Sequence, residues 1–241
     1  MNLCIDIGNT AVKVGVFNHD ELVVDFVLAS LEKGWISQLA RQFALRHCIL
    51  SSTAGVPGFL EEEMDTLNIS YRELTATTPL PFVNAYATPS TLGKDRLAAI
   101  AGAQGLLPGA DVLVIDAGTA ITFDFIDASG VYRGGNIAPG LEMRSRALNQ
   151  FTSRLPLVEL SLPVELLGND TRSAINNGVV YGAVFEMDGY IDSLVLKYPK
   201  LSAFLTGGSS FYFDSMLKNR TFAVKNLVLT GLNRILNFNV Q

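Results

Sequence analysis

One pattern occurs twice in this chain and limits its possible folds more than any other. Near the start, the apolar run Leu3-Cys4-Ile5 leads into Asp6-Ile7-Gly8-Asn9-Thr10 and then into alternating residues from Val12 to Phe17. At Val112-Leu113-Val114-Ile115-Asp116-Ala117-Gly118-Thr119 the chain repeats apolar strand, Asp-x-Gly and Thr, and alternation resumes through Thr122 to Ile126. Each copy continues into a polar turn, Asn18-His19-Asp20-Glu21 or Asp127-Ala128-Ser129-Gly130, and then a third strand-like run, Leu22 to Leu28 or Val131 to Ile137. Alternation of this kind predicts strands, and its recurrence predicts a three-strand meander in two copies. The expected architecture is a duplicated α/β fold. Leu106-Leu107-Pro108-Gly109-Ala110 forms the crossover, dividing the chain into halves 1–108 and 109–241.

The chemistry of the repeated turn is suggestive. Gly8 lets backbone approach a ligand, and Asn9 and Thr10 place short polar side chains beside exposed N–H groups. A carboxylate at the end of a buried strand is costly unless paired, so Asp6 calls for a metal ion or a cation such as Lys13. One such turn is also an ordinary hairpin. Two facing each other would surround a polyphosphate with two carboxylates and Thr hydroxyls. That arrangement resembles the actin-like, sugar-kinase and chaperone ATPase superfamily. The resemblance implies ribonuclease H-like halves with mixed sheets and a nucleotide cleft between them.

Composition narrows the chemistry further. The chain carries only His19 and His47, and Cys4 and Cys48 lie in apolar runs without zinc or redox spacing. A Ser-His-Asp triad or His-rich metal centre is therefore not expected. Carboxylates, hydroxyls, backbone amides, Lys and Arg suffice for phosphoryl transfer, where catalysis is mostly positioning and charge stabilisation. A net charge of −5 without a basic tract argues against nucleic acid as the partner. No apolar run has membrane-spanning length and no basic leader precedes the first strand, so a cytoplasmic protein without a membrane partner is expected.

Between the two copies, Trp35 to Leu45 has helical spacing and Cys48-Ile49-Leu50 reads as a buried strand. Ser51-Ser52-Thr53-Ala54-Gly55 follows that strand, as a helix-capping loop or a ligand contact. Pro57 suits the next helix start, and Glu61-Glu62-Glu63 reads as its solvated face. A short strand near Ile69-Ser70-Tyr71 comes next. In Tyr86-Ala87-Thr88-Pro89-Ser90-Thr91-Leu92-Gly93-Lys94-Asp95-Arg96, Ser90 and Thr91 can cap a helix running through Leu97 and Ile100. Asp95 then falls at the helix start, where the dipole favours its ionised form, and Arg96 adds a cation for an anionic group. A surface ion pair is the plainer reading of the same residues.

Farther on, Pro139-Gly140 opens an amphipathic helix, and Phe151 to Leu167 forms an extended connection. Gly168-Asn169-Asp170-Thr171 opens the longest helical pattern, to about Tyr198, with Asp170 or Thr171 as cap. Gly178 and Gly182 within it suit close approach of another helix, either in a second copy or in the same chain. Thr206-Gly207-Gly208-Ser209-Ser210, between a strand and a helix start, offers backbone to a base and ribose. Asn226 to Leu236 reads as a packed closing helix.

Taken together, these motifs resemble type III pantothenate kinases over nearly the whole chain. The resemblance rests on Asp6-Ile7-Gly8-Asn9-Thr10 with Lys13, Gly93-x-Asp95-Arg96 and Asp116-x-Gly118-Thr119-Ala120-x-Thr122. It rests also on Gly134-Gly135-x-Ile137-x-Pro139-Gly140 and Leu205-Thr206-Gly207-Gly208. It implies ATP-dependent phosphorylation of pantothenate to 4'-phosphopantothenate, the first step toward coenzyme A, by a homodimer. Asp95 is implied as general base. Asp6, Ile7, Gly8, Asn9, Thr10, Ala11, Val12, Lys13 and Thr119 would bind ATP. Tyr86, Gly93, Lys94, Asp95, Arg96 and Thr171 would bind pantothenate. Asp116 is implied as the ligand of a monovalent cation, K⁺ or NH₄⁺, with Asp6 on Mg²⁺ directly or through water. Lys94 and Thr88 depart from the usual pattern of the acceptor loop. A nucleotide-binding regulator or scaffold, or a kinase for another small alcohol or acid, are the alternative readings.

Overall fold

The computed structural model describes residues 1–213 and 215–240. Asp214 and Gln241, in the half read as 109–241, lie outside the described residues. The chain forms two compact units: residues 1–109, 129–133 and 226–241, and residues 110–128 and 134–225. The halves read from the repeat differ from these units chiefly in where the closing helix belongs.

The first unit is built on β1 (Asn2–Ile7), β2 (Val12–Asn18), β3 (Glu21–Leu28), β4 (His47–Ser52) and β5 (Ser70–Glu73), in the order β3-β2-β1-β4-β5. The meander β1-β2-β3 is antiparallel, while β4 and β5 add in parallel. Leu3, Ile5, Ile7, Cys48 and Leu50 share a core with residues of α1 (Trp35–Ala40) and α2 (Leu60–Thr66). Two other helices, α3 (Lys94–Leu106) and α6 (Leu227–Val240), pack together through small residues. A Cβ on Gly231 would lie 1.6 Å from the Ala98 carbonyl oxygen, and one on Gly102 would lie 2.6 Å from that of Leu227. Only glycine permits this approach. Arg96 to Ala103 are accordingly buried around the whole circumference of α3.

The second unit repeats the plan. Its sheet contains β7 (Val112–Ala117), β8 (Ala120–Ile126), most of β9 (Val131–Pro139), β10 (Ser202–Thr206) and β11 (Thr221–Ala223). The sheet order is β11-β10-β7-β8-β9-β6, in which β6 (Val83–Asn84) pairs with the opening residues of β9. The segment β9-β8-β7-β10-β11 reproduces β3-β2-β1-β4-β5, with the same antiparallel and parallel senses at β7-β8, β7-β10 and β10-β11. The expected duplicated ribonuclease H-like α/β fold with mixed sheets is thus present. Helices α4 (Leu141–Gln150) and α5 (Thr171–Val195) cover the core of Leu113, Ile115, Phe123 and Leu205.

Several local expectations are corrected. Ser90 and Thr91 lie in a 3₁₀ turn, and the residue capping α3 is Gly93, without a side-chain cap. The Ser51–Gly55 segment caps no helix, because Ser52 Oγ donates to the Gly55 carbonyl instead, at 2.8 Å. Glu63 is buried and accepts hydrogen bonds from the N–H groups of Gly34 and Ser37 and from Ser37 Oγ. It is therefore not part of a solvated face. The helix from Trp35 ends at Ala40, short of Leu45. After Gly208 comes a three-residue 3₁₀ turn, Ser210–Tyr212, instead of an α-helix. Asp170 is the expected cap of α5 and forms a capping box with Ser173.

Candidate active site

The first turn connects the buried end of β1 to β2 through Gly8, Asn9, Thr10 and Ala11. Gly8 N–H donates to the Ala11 carbonyl at 3.1 Å, and Asn9 and Thr10 are exposed at the tip. Asp6 is only 8% exposed, and its register partners are Lys13 on β2 and Ser51 on β4. A buried carboxylate, a lysine and a hydroxyl thus form one row at the end of three adjacent strands. Ile7 and Val12 are buried in the strands flanking the turn, so any part they take in ligand binding is through backbone.

The second turn is tighter, since only Gly118 and Thr119 separate β7 from β8. Gly118 N–H donates to the Ala120 carbonyl at 3.1 Å, and Thr119 is exposed. Asp116 is half-buried, with Thr122 and Thr206 as its register partners. Two glycines close around this turn. Gly207, at φ +97°, would place a Cβ 2.5 Å from Asp116 Oδ1 and from the Ala117 carbonyl. A Cβ on Gly140 would lie 2.3 Å from the Thr119 carbonyl oxygen, to which Gly140 N–H donates at 3.1 Å. Gly140 and Gly207 are thus required by packing around the Asp116 turn.

In the first unit, the structure also brings Arg96 together with Tyr86 and Tyr132. Arg96 is 5% exposed, with Cζ 5.9 Å from the centre of the Tyr86 ring and Nη2 donating to Tyr132 Oη at 3.2 Å. The Tyr86 and Tyr132 rings stack at 6.1 Å. Tyr132 therefore joins the site as a residue that sequence reading missed; its place in a strand of the repeat gave no sign of the contact. Asp95 lies in the first turn of α3 and its Oδ1 accepts from Arg96 N–H at 2.8 Å. Lys94 Nζ bonds Glu73 Oε1 at the end of β5, at 2.7 Å. Since Glu73 is the register partner of Leu50, this contact ties the start of α3 to the strand ends beside Ser51 and Asp6.

Thr171 belongs to the second unit. It lines an apolar groove of about 980 Å³ between α4 and α5, with Met143, Leu148, Phe151 and Gly178. A Cβ at Gly178 or Gly182 would meet no atom within 4 Å, so neither glycine serves a helix crossing among the described residues.

The donor set bears on metal chemistry. Among the described residues no three His, Cys, Asp or Glu side chains cluster to hold a metal. A protein-only cage is thereby unsupported. Mg²⁺ is commonly held by one or two carboxylates together with substrate phosphates, and Asp6, at the end of β1 beside the Gly8–Thr10 turn, fits that mode. No helix among the described residues is long and apolar enough to cross a membrane.

Comparison with known proteins shows the family. The family model described as type III pantothenate kinase matches residues 2–193. A type III pantothenate kinase of Phocaeicola vulgatus is 47% identical over 239 residues, covering 99% of each chain. One from Bacteroides fragilis is 45% identical, covering 99% of this chain and 98% of that one. In fold, the chain is similar to a ROK hexokinase from Thermus thermophilus, with a TM-score of 0.51, 14% identity and coverage of 100% and 99% of the two chains.

Proposed function

This chain belongs to the type III pantothenate kinase family, and on that premise we propose that it transfers the γ-phosphoryl group of ATP to the primary hydroxyl of pantothenate, with Asp95 as the base. The product would be 4'-phosphopantothenate, placing the enzyme at the first step toward coenzyme A in the cytoplasm. The observation that carries the reading is the buried Arg96 beside Asp95 at a helix start tethered, through Lys94 and Glu73, to the strand ends of the Asp6 turn. Family membership makes the chain a kinase, so a regulator or scaffold without catalysis is set aside.

In this reading, Gly8, Asn9, Thr10 and Lys13 hold the phosphates, with the backbone of Ile7, Ala11 and Val12 shaping the loop. Asp6 holds Mg²⁺ directly or through water. Thr119 contacts ATP, and Asp116 holds K⁺ or NH₄⁺, with Gly207 keeping space open beside its carboxylate. These cations supply charge neutralisation for the phosphates when bound. Asp95 accepts or orients the hydroxyl proton of the acceptor. A loose transition state needs little prior deprotonation, so alignment is the larger part of its task. Arg96 binds the pantothenate carboxylate, for which a planar guanidinium is suited. Tyr86, Gly93 and Lys94 shape the same pocket.

Thr171 joins that pocket in a homodimer formed on the α4–α5 face. What supports this is the open surface at Gly178 and Gly182, together with Phe185 at 59% exposed and Phe151 at 81%. The test is direct. Purified protein with ATP, Mg²⁺ and K⁺ is offered pantothenate and a panel of sugars and short hydroxy acids, and ADP release is measured. Release with pantothenate above all others is expected; release with another acceptor alone reassigns the substrate.

A further inference from the structure

Ser51 stands out among the polar side chains of the first unit. It is wholly buried, and its Oγ has no hydrogen-bond partner among the described residues. Its neighbour Ser52 differs, donating to the Gly55 carbonyl at 2.8 Å and accepting from Ala54 N–H at 3.3 Å. A buried hydroxyl left unpaired costs about 1–3 kcal/mol, and alanine would fill the same place without that cost. Such a group in a native fold needs an explanation.

Its position supplies one. Ser51 is the register partner of Asp6, and Asp6 is the register partner of Lys13. Register partners on neighbouring strands share a face of the sheet. Leu3, Ile5, Ile7, Cys48 and Leu50 point into the core on one face, so alternation puts Lys13, Asp6 and Ser51 on the other. The duplicated unit keeps the design. Asp116 is flanked in register by Thr122 and Thr206, and Thr206, on the strand equivalent to β4, again offers a buried hydroxyl beside the acid. Two copies of the fold thus place an acid next to a hydroxyl from the adjoining parallel strand.

We infer that Ser51 is a further binding residue of the nucleotide site, its Oγ hydrogen-bonding an oxygen of the hydrated Mg²⁺–triphosphate held at Asp6 and Lys13. The inference rests on the reading of the Asp6 turn as the phosphate site. A hydroxyl suits the position because it can donate to a phosphate oxygen or accept from a metal-held water. It also leaves the charge balance of Asp6 and Lys13 unchanged.

The experiment uses the full-length protein and a non-hydrolysable ATP analogue. Ser51→Ala is expected to melt at or above the wild-type temperature without ligand, because an unpaired hydroxyl has been removed. Its affinity for the Mg²⁺–analogue complex, by calorimetry, is expected to fall about 10- to 100-fold, as for loss of one hydrogen bond to a charged group. Repeating the titration with EDTA separates the sources: an equal loss assigns the bond to a phosphate oxygen, and a loss only with Mg²⁺ assigns it to a metal-held water. Affinity within twofold of wild type in both arms overturns the inference. Ser51→Cys puts a weakly hydrogen-bonding thiol in place of the hydroxyl and decides the matter if Ser51→Ala folds poorly: the same loss of affinity supports the role, and wild-type affinity overturns it. Lys13→Ala serves as the control for the underlying reading. If it binds the analogue as wild type does, the phosphate site itself is misassigned; if it alone loses binding, only the role of Ser51 fails.

Discussion

Lys94 Nζ lies 2.7 Å from Glu73 Oε1, joining the first residue of α3 to the last residue of β5. The two side chains are 29% and 37% exposed, so the pair lies close to solvent. Partly exposed pairs contribute about 0–1 kcal/mol, and this one is better understood as a positioning contact than as a source of stability. Lys94→Ala is therefore expected to change the melting temperature little while raising KM for pantothenate. Steady-state kinetics beside a thermal melt checks both halves of that expectation.

Asp95→Asn keeps the shape of the first turn of α3 and removes the basic carboxylate. Turnover is expected to fall about 10²- to 10⁴-fold, the usual contribution of a positioned base. Affinity for ATP should stay within about twofold, since Asp95 is assigned to the acceptor and not the phosphates. Unchanged turnover in this variant would reject the assignment.

Arg96→Lys retains a charge but loses the planar fork that lies by Tyr86 and bonds Tyr132 Oη. The expected result is KM for pantothenate raised at least about tenfold with KM for ATP nearly constant. Tyr132→Phe, which removes an acceptor from the buried Arg96 guanidinium, should cost about 1.5–3 kcal/mol of stability. Chemical denaturation measures that second value.

The glycine pair after β10 gives a paired test. Gly207→Ala would drive a Cβ to 2.5 Å from Asp116 Oδ1 at a backbone φ of +97°, whereas a Cβ on Gly208 meets nothing within 4 Å. Gly207→Ala is expected to lose about 1–3 kcal/mol through overpacking and to blunt the activation by K⁺ that the proposed role of Asp116 predicts. Gly208→Ala should be close to neutral in both. Titrating K⁺ against activity for the two variants separates them.

Asp170 caps α5, and its carboxyl is held below the ordinary carboxylate range, first by the Ser173 hydroxyl and then by the N–H groups of Ser173 and Arg172. A group whose pKa is depressed on folding adds stability above its unfolded pKa and loses it as pH falls through the folded value. Asp170→Asn keeps a capping side chain but not the charge. The gap in melting temperature between wild type and variant should be present at neutral pH and close in acid, below the ordinary carboxylate range. A gap independent of pH would remove the charge from the explanation.

Much of this site was legible because the repeat is local. Asp-x-Gly and the alternation after it lie within single hairpins, so the sequence displays Asp6 and Asp116 in equivalent settings. Glu63 was not legible in the same way. Its partners, Gly34 and Ser37, lie at the start of another helix, and an acidic triplet reads as solvated until that helix is placed against it. Ser51 read as loop chemistry because a register neighbour cannot be known before β1 and β4 are paired. Likewise the close seat of Gly231 on Ala98 depends on a partner more than a hundred residues away in sequence, and only coordinates reveal it.

That seat has a consequence for how the chain is made. Translation proceeds from the N-terminus, and domains ordinarily fold as they emerge. Here the sheet that emerges first lacks the helix which covers it until residues 227–240 leave the ribosome, after the whole middle of the protein. Of the two lobes, the one begun earlier is thus completed later, and its apolar face stays uncovered until α6 has been made.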